Sequence, residues 1–172
     1  MKLTENETPQ ALFLDRDGTL IRWVDYLCDP EGVKLCDGIA SALSQAKKAG
    51  CLLFLHTNQS GVGRGYFELD AVEAVNARRC EMLGVELSFF DEVCIAPDHP
   101  NRVSDDSYRK PHPRFELEMV DQFSLDLKRC YMIGDSASDL QTGINAGMNS
   151  VLVRSEQTRV DTLPIGCVEC GS

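Results

Sequence analysis

The chain has little that would suit a membrane, a nucleic acid or a secretory route. It has 172 residues with a single tryptophan, and no apolar run approaches the length needed to cross a bilayer. Residues 1–10 are polar and lack the apolar core of a secretory signal, so we expect a cytoplasmic protein. The formal net charge of -10 disfavours the basic patches that bind nucleic acids or anionic lipids. We therefore expect neither a nucleic acid nor a membrane as a partner.

Length and composition instead indicate one globular domain. Hydrophobic residues make up 43% of the chain and charged residues 26%, and 172 residues leave no room for a second domain. Short apolar runs alternate with helical stretches, which predicts a doubly wound α/β three-layer sandwich with a mostly parallel sheet. We expect this domain over residues 11–154, after an N-terminal extension (1–10) and before a C-terminal tail (155–172) that has little pattern of its own.

The pattern also predicts the individual elements. Strands are expected over residues 11–14, 51–55, 89–95, 130–133 and 151–153. Helices are expected over residues 38–49, 68–83 and 113–123, followed by a short helix that ends near Gly147. Asp37 is the expected N-cap of the first helix.

The cysteines indicate neither a disulfide framework nor a zinc finger. Most of the eight are scattered through apolar segments, where they resemble small core residues. Cys167 and Cys170 form one CxxC, but no second pair has zinc-finger spacing. A reduced, frayed tail is therefore favoured there over a structural metal site.

Two carboxylates follow the first predicted strand. Asp15 and Asp17 stand two positions apart after an apolar run that is typical of a central parallel strand. Ligands collect at the carboxyl ends of such strands, and two carboxylates on the same side repel each other unless a cation lies between them. Mg²⁺ suits oxygen ligands of this kind. A solvated acidic turn is the alternative, and the motifs further along the chain disfavour it.

A run of polar residues follows the second predicted strand. It consists of Thr57, Asn58, Gln59 and Ser60. Hydroxyl groups and successive backbone amides at a strand end can bind phosphoryl oxygens. The glycines that come next also allow a simple flexible turn, so this run alone is weak evidence.

Basic and acidic residues complete the series. Arg109 and Lys110 precede Pro111, which restricts the backbone, and a lysine there can neutralise the charge of a phosphoryl group. Asp135 and Asp139 follow the fourth predicted strand. The first of them can bind a metal directly, and the second can bind it through water or orient the site. Each motif alone could be ordinary surface or helix capping, but four in this order point to phosphoryl transfer.

Taken together, D-x-D-G-T, the strand-end threonine, R-K-P and G-D-x-x-x-D resemble the haloacid dehalogenase (HAD) superfamily of aspartyl-nucleophile phosphatases, over residues 11–154. D-R-D-G-T, T-N-Q-S-G and R-K-P-H-P are similar to the branch with D-glycero-D-manno-heptose 1,7-bisphosphate 7-phosphatases and histidinol-phosphate phosphatases. The resemblance implies a Mg²⁺-dependent phosphomonoester hydrolase of carbohydrate metabolism that acts on a small sugar phosphate such as that heptose bisphosphate. Histidinol phosphate or another small metabolite is the alternative substrate.

The resemblance also implies a role for each acidic motif residue. Asp15 is the nucleophile, and Asp17 protonates the leaving group and then activates water. Mg²⁺ is held by Asp15, the backbone carbonyl of Asp17 and Asp135, with Asp139 as a further metal-site residue.

Other motif residues are implied to contact the substrate. Arg109 would contact the part of the substrate beyond the phosphorus, and Lys110 and Thr57 also count as catalytic. The implied phosphate-binding residues are Thr57, Asn58, Gln59, Ser60 and Lys110.

The chain departs from this branch at the usual zinc loop. Members of the branch commonly carry Cys-x-His and then Cys-x-Cys before R-K-P. Here those positions hold Ala96 and Asp98, then Asp106 and Tyr108. We therefore expect no zinc.

The motif spacing leaves no room for a cap domain, so we expect an open site walled by residues 21–30 and 97–109. Two other protein classes share parts of this pattern. A receiver-like signalling domain is disfavoured because Asp15 lies on the first strand and Lys110 precedes Asp135. A catalytically silent phosphate-binding protein stays open, whereas the acidic balance disfavours a nucleic-acid 3′-phosphatase. The expected partner is a small phosphorylated molecule, and the expected state is a monomer or a weak homo-oligomer.

Overall fold

Six parallel strands form one sheet in the computed structural model, which describes residues 8–164 and 166–170. Their spatial order is β3-β2-β1-β4-β5-β6, so β1 lies near the centre. The strands are β1 Ala11–Leu14, β2 Leu52–Asn58, β3 Glu92–Ala96, β4 Cys130–Gly134, β5 Asn149–Val153 and β6 Cys167–Cys170. The fold class predicted from the sequence is confirmed.

Helices cover both faces of this sheet. They are α1 Ile39–Lys48, α2 Ser60–Gly63, α3 Leu69–Leu83, α4 Arg114–Gln122 and α5 Ala137–Ala146. Alternate residues of each strand point to opposite faces, and both sets are apolar. On one face Phe13 packs in a cluster with Phe115 and Met119 of α4, and on the other Leu14 packs with Leu43 of α1. The result is a three-layer sandwich, and over the described residues no helix has the length and apolar character to cross a membrane.

The predicted elements agree with the observed ones except near their ends. Asp37 is not an N-cap, because Gly38 takes that position in a left-handed conformation (φ 75°) that makes no side-chain cap bond. The Asp37 carboxylate instead accepts hydrogen bonds from Arg22. Strand β2 runs on to Asn58, beyond its predicted end, because Thr57 and Asn58 pair with β3.

The segment after β5 is the main correction to the predicted fold. Cys167–Cys170 is not a frayed tail but strand β6, which pairs in parallel with β5 along the edge of the sheet. Upstream of it, Val160 is buried against Leu140 and Leu152. Strand β6 is as short as β1, but its residues are mostly exposed and C-V-E-C has no apolar run like A-L-F-L, so the sequence offered no signal for it.

Candidate active site

The polar motifs meet at one edge of the sheet because all the strands are parallel. Asp15 follows β1 and Asp135 follows β4, and these two strands are neighbours. Asn58 ends β2, on the other side of β1. The loop after β3 returns to this edge and delivers Lys110. Together they form a cleft of about 290 Å³ at the carboxyl ends of the strands.

A buried lysine lies at the floor of the cleft. The Lys110 ammonium donates to Asp15 Oδ1 and Asp139 Oδ1, each at 2.6 Å, and to the backbone carbonyl of His56 at 2.8 Å. An ammonium has three hydrogens to donate, so all of them are used by the protein. Asp15, Lys110 and Asp139 are all buried, and the three side chains therefore hold each other in one arrangement.

The floor of the cleft brings three carboxyl groups close to a single ammonium. Asp15, Asp135 and Asp139 each place a carboxylate oxygen within 4.8 Å of the others, and Lys110 alone bridges two of them. Burial raises the pKa of Asp15 to about 8 against the pull of Lys110, and burial also raises the pKa of Asp135. Burial alone would lower the pKa of Lys110, but the charges of Asp139 and Asp15 outweigh it and raise that pKa. A hard divalent cation fits this oxygen-only, electron-rich set.

Two glycines leave space for the carboxylates. Gly18 has a φ of 84°, and a Cβ there would overlap the carboxylate of Asp135. A Cβ at Gly134 would overlap the carboxylate of Asp139 in the same way. The motifs D-x-D-G and G-D-x-x-x-D therefore need glycine at these positions, because the acidic side chains approach the backbone closely. Ser155 also holds Asp135 in place, because its hydroxyl donates to Asp135 Oδ2 at 2.6 Å.

Asp139 is oriented by the start of α5. Its Oδ2 accepts from the backbone amide of Ser136 at 3.0 Å and from the Ser136 hydroxyl at 2.5 Å. The Ser136 hydroxyl oxygen accepts in turn from the Asp139 backbone amide at 3.4 Å, which completes a capping box with Ser136 as N-cap. Its Oδ1 accepts from Lys110. With both oxygens engaged, Asp139 orients Lys110 and closes the floor of the cleft.

Asp17 is held from two sides at the cleft. Gln59 donates to Asp17 Oδ2 at 2.8 Å, and Arg16 contacts the same carboxylate with its Nε and Nη2. Arg16 is itself buried and also donates to Asn76 on α3. Sequence reasoning gave Arg16 no role, because an arginine between two aspartates gives no sign of which way it points.

The other predicted phosphate-binding residues mostly contact the protein. Thr57 is buried, and its hydroxyl accepts from the Gln59 amide at 2.8 Å. Asn58 lines the cleft, but its amide pairs with both the backbone N–H and the carbonyl of Lys110. Ser60 begins the short helix α2, and Arg109 donates to the carbonyl of Asp98 at 3.3 Å. Of these four, only Asn58 lines the cleft.

The wall of the cleft includes residues that sequence reasoning missed. Trp23 lines it, as predicted for residues 21–30. Gln157 and Arg159 also line it, with residues 136–138 at the start of α5, whereas none of residues 97–109 does. Gln157 and Arg159 lie in the segment that was predicted to be a loosely packed tail. Their only sequence signal is that they follow a strand of the same parallel sheet.

A buried pair behind the floor was also missed. His56 Nδ1 lies 2.6 Å from Glu116 Oε1, and His56 Nε2 lies 2.7 Å from the carbonyl of Tyr108. Both His56 and Glu116 are fully buried. Since Lys110 bonds the His56 carbonyl and Tyr108 precedes Lys110 by two residues, the pair supports the loop that carries the lysine.

Comparisons with known proteins agree with this arrangement. The profile of the HAD-hydrolase-like family matches residues 107–165. The D-glycero-beta-D-manno-heptose-1,7-bisphosphate 7-phosphatase of Mesorhizobium japonicum is 40% identical over 143 residues, which are 80% of this chain and 66% of that relative. The enzyme of the same name from Rhodopseudomonas palustris is 36% identical over 143 residues, 80% of this chain and 79% of the relative.

A solved structure is similar over nearly the whole chain. It is the D,D-heptose 1,7-bisphosphate phosphatase of B. bronchiseptica, crystallised with magnesium and phosphate. It superposes with a TM-score of 0.82 at 27% identity and covers 94% of this chain and 92% of its own.

Proposed function

The chain belongs to the HAD-like phosphatase family of the D-glycero-D-manno-heptose-1,7-bisphosphate 7-phosphatases, and we propose that it removes one phosphate from a small sugar bisphosphate of that kind. The observation that carries the proposal is the buried floor of Asp15, Lys110 and Asp139, with Asp17 beside it in the same cleft. In this proposal Asp15 is the nucleophile, Lys110 its counter-charge and Asp17 the acid–base residue. Asp139 holds Lys110 in place.

Asp15 is the nucleophile in this proposal. Lys110 binds its Oδ1, so Oδ2 is the oxygen that attacks phosphorus, and the P–O bond to the sugar breaks as the aspartyl phosphate forms. The buried lysine offsets charge on Asp15 while the phosphate dianion approaches. Asn58 contributes by holding the backbone of Lys110 rather than by reaching the phosphate itself.

Asp17 transfers the proton in both steps. It gives a proton to the departing sugar oxygen and then takes one from the water that hydrolyses the aspartyl phosphate. Its carboxylate is fixed for this by Gln59 and Arg16, so it does not need to reorganise between the steps. Gln59 is therefore a positioning residue for Asp17, and Thr57 supports Gln59.

The donor set fits Mg²⁺, the ion present in the B. bronchiseptica relative. Asp15, the backbone carbonyl of Asp17 and Asp135 would hold it, and when bound it supplies charge compensation between nucleophile and phosphate. Zinc has no place in the proposal, because Tyr108, at one of the positions that usually hold zinc ligands, bonds Glu118 instead.

A catalytically silent phosphate-binding protein is the second class to test. We expect Mg²⁺-dependent phosphate release from D-glycero-D-manno-heptose 1,7-bisphosphate in a panel with histidinol phosphate, other sugar phosphates and nucleotides. The Asp15→Asn protein is the blank. Preference for histidinol phosphate would replace the sugar substrate, and release from no compound would favour the silent class.

A further inference from the structure

The segment that follows β5 is fastened to the sheet. The Arg154 guanidinium makes a two-point ion pair with Glu169 on β6, at 2.9 and 3.1 Å, and donates to the Val160 carbonyl at 2.9 Å. Val160 itself is buried against Leu140 and Leu152. The chain between these two anchors is therefore a fixed turn on the carboxyl edge of the sheet.

The same turn contacts Asp135, one of the three clustered carboxylates at the candidate metal site. The Ser155 hydroxyl donates to Asp135 Oδ2 at 2.6 Å, and its oxygen accepts from the backbone amide of Gln157 at 3.2 Å. The Ser155 amide in turn donates to the Thr158 hydroxyl at 2.8 Å. The turn is thus set in position relative to a carboxylate of the metal-binding cluster, and it carries Gln157 and Arg159 into the wall of the cleft.

Arg159 is the cation of the cleft with free binding capacity. Lys110, the other basic residue that lines the cleft, uses its three hydrogens on protein groups. Arg159 is exposed and takes part in none of the ion pairs among the described residues. Its guanidinium donates only to neutral oxygens nearby, at 3.1 to 3.3 Å. An anion would replace these bonds at little cost, and a guanidinium matches a phosphate with two parallel bonds.

Trp23 shares this wall and is poorly covered for a side chain of its size. It is 43% exposed and lines the same cleft as Arg159 and Gln157. An aromatic face next to an amide and a guanidinium offers apolar contact to the carbon skeleton of a sugar and hydrogen bonds to its substituents.

We infer that Arg159, Trp23 and Gln157 form the subsite for the leaving group, with Arg159 binding a second phosphate on the sugar. The inference rests on the proposed function and names the residues that make a bisphosphate a better substrate than a monophosphate. It differs from the expectation for Arg109, whose guanidinium bonds the Asp98 carbonyl and does not line the cleft.

The test compares two substrates in proteins with and without the positive charge of Arg159. The sugar bisphosphate and the sugar monophosphate that carries only the scissile phosphate are assayed with the wild type, Arg159→Gln and Arg159→Lys. We expect Arg159→Gln to raise KM for the bisphosphate about tenfold or more, with kcat nearly unchanged and little effect on the monophosphate. Arg159→Lys should lie between. Lys48→Gln, which removes an equal charge from the exposed end of α1, is the control.

Binding provides a readout that does not need turnover. Trp23 is the single tryptophan of the chain, so its fluorescence reports occupancy of the cleft without a label. In the Asp15→Asn background, the bisphosphate should change this fluorescence and bind about tenfold more weakly when Arg159→Gln is added. An equal loss for both ligands, or no loss, overturns the subsite. Failure of the wild type to hydrolyse or bind either sugar overturns the proposed function and the subsite with it.

Discussion

The floor and the wall of the cleft are built in opposite ways. On the floor, Asp15, Lys110 and Asp139 are buried and joined by contacts of 2.6 Å. On the wall, Trp23 and Arg159 are exposed, and the bonds of Arg159 are long and local. The side chains of the floor are held in one arrangement, as preorganised catalytic groups are, whereas Arg159 on the wall can exchange its hydrogen bonds for those of a ligand. Under the proposed function, phosphoryl transfer would take place at the floor and substrate recognition at the wall.

The largest expected effect comes from removing the nucleophile on the floor. Asp15→Asn should abolish turnover, with a loss of about 10⁴-fold or more, because an amide cannot form the aspartyl phosphate. The melting temperature should change little, since the amide keeps the shape of the side chain. Phosphate release is the assay, and Asp121→Asn, an exposed carboxylate on α4, is the matched control. A rate close to wild type would remove Asp15 as the nucleophile.

The next effect tests how the floor is supported. Glu116→Leu leaves the buried His56 Nδ1 without its hydrogen-bond partner, and leaving a buried polar group unsatisfied costs about 1 to 3 kcal/mol of unfolding free energy. The double variant His56→Phe with Glu116→Leu should lose much less than the sum of the two single losses. Urea unfolding of the four proteins measures this. Additive losses would mean that His56 and Glu116 do not act as a pair.

The smallest effect lies at the junction of floor and wall. Ser155→Ala removes the hydroxyl that fixes Asp135, so the Mg²⁺ concentration for half-maximal activity should rise about tenfold. Ser155→Thr should restore it, because the hydroxyl is kept. The Mg²⁺ dependence of phosphate release is the measurement, with Ser44→Ala on α1 as the control. Unchanged Mg²⁺ dependence would separate the turn from the metal-binding cluster.

The contrast between floor and wall also explains what could be read from the sequence. The floor was predictable because Asp15 and Asp135 each follow an apolar strand, and parallel strands bring their carboxyl ends together. Lys110 follows no strand directly, and its signal was its place in R-K-P. The wall was not, because Gln157 and Arg159 follow β5 with no pattern around them and depend on β6, a strand of four residues. Their place in the cleft results from the contacts of Arg154 and Val160 elsewhere on the sheet.

Some motif residues make contacts that the sequence did not predict. Asn58 and Gln59 were expected on the phosphate, yet their amides bond Lys110 and Asp17. A side-chain amide at a strand end can face either a ligand or a neighbouring loop, and only tertiary packing decides between the two. Arg16 and His56 were missed for the same reason, since Asn76, one partner of Arg16, and Glu116, the partner of His56, each lie 60 residues away along the chain.

The most direct test of the account is to trap the phosphorylated enzyme. Asp17→Asn removes the group that activates water and also the proton donor to the leaving group, so the substrate is 4-nitrophenyl phosphate, whose leaving group needs no proton, and an aspartyl phosphate should accumulate after mixing with it and Mg²⁺. Rapid acid quenching, digestion and mass spectrometry of the peptides locate the phosphoryl group. We expect the phosphoryl group on the peptide that contains Asp15, and none in the protein that also carries Asp15→Asn. A phosphoryl group on another residue, or consumption of substrate with every peptide unmodified, would contradict it.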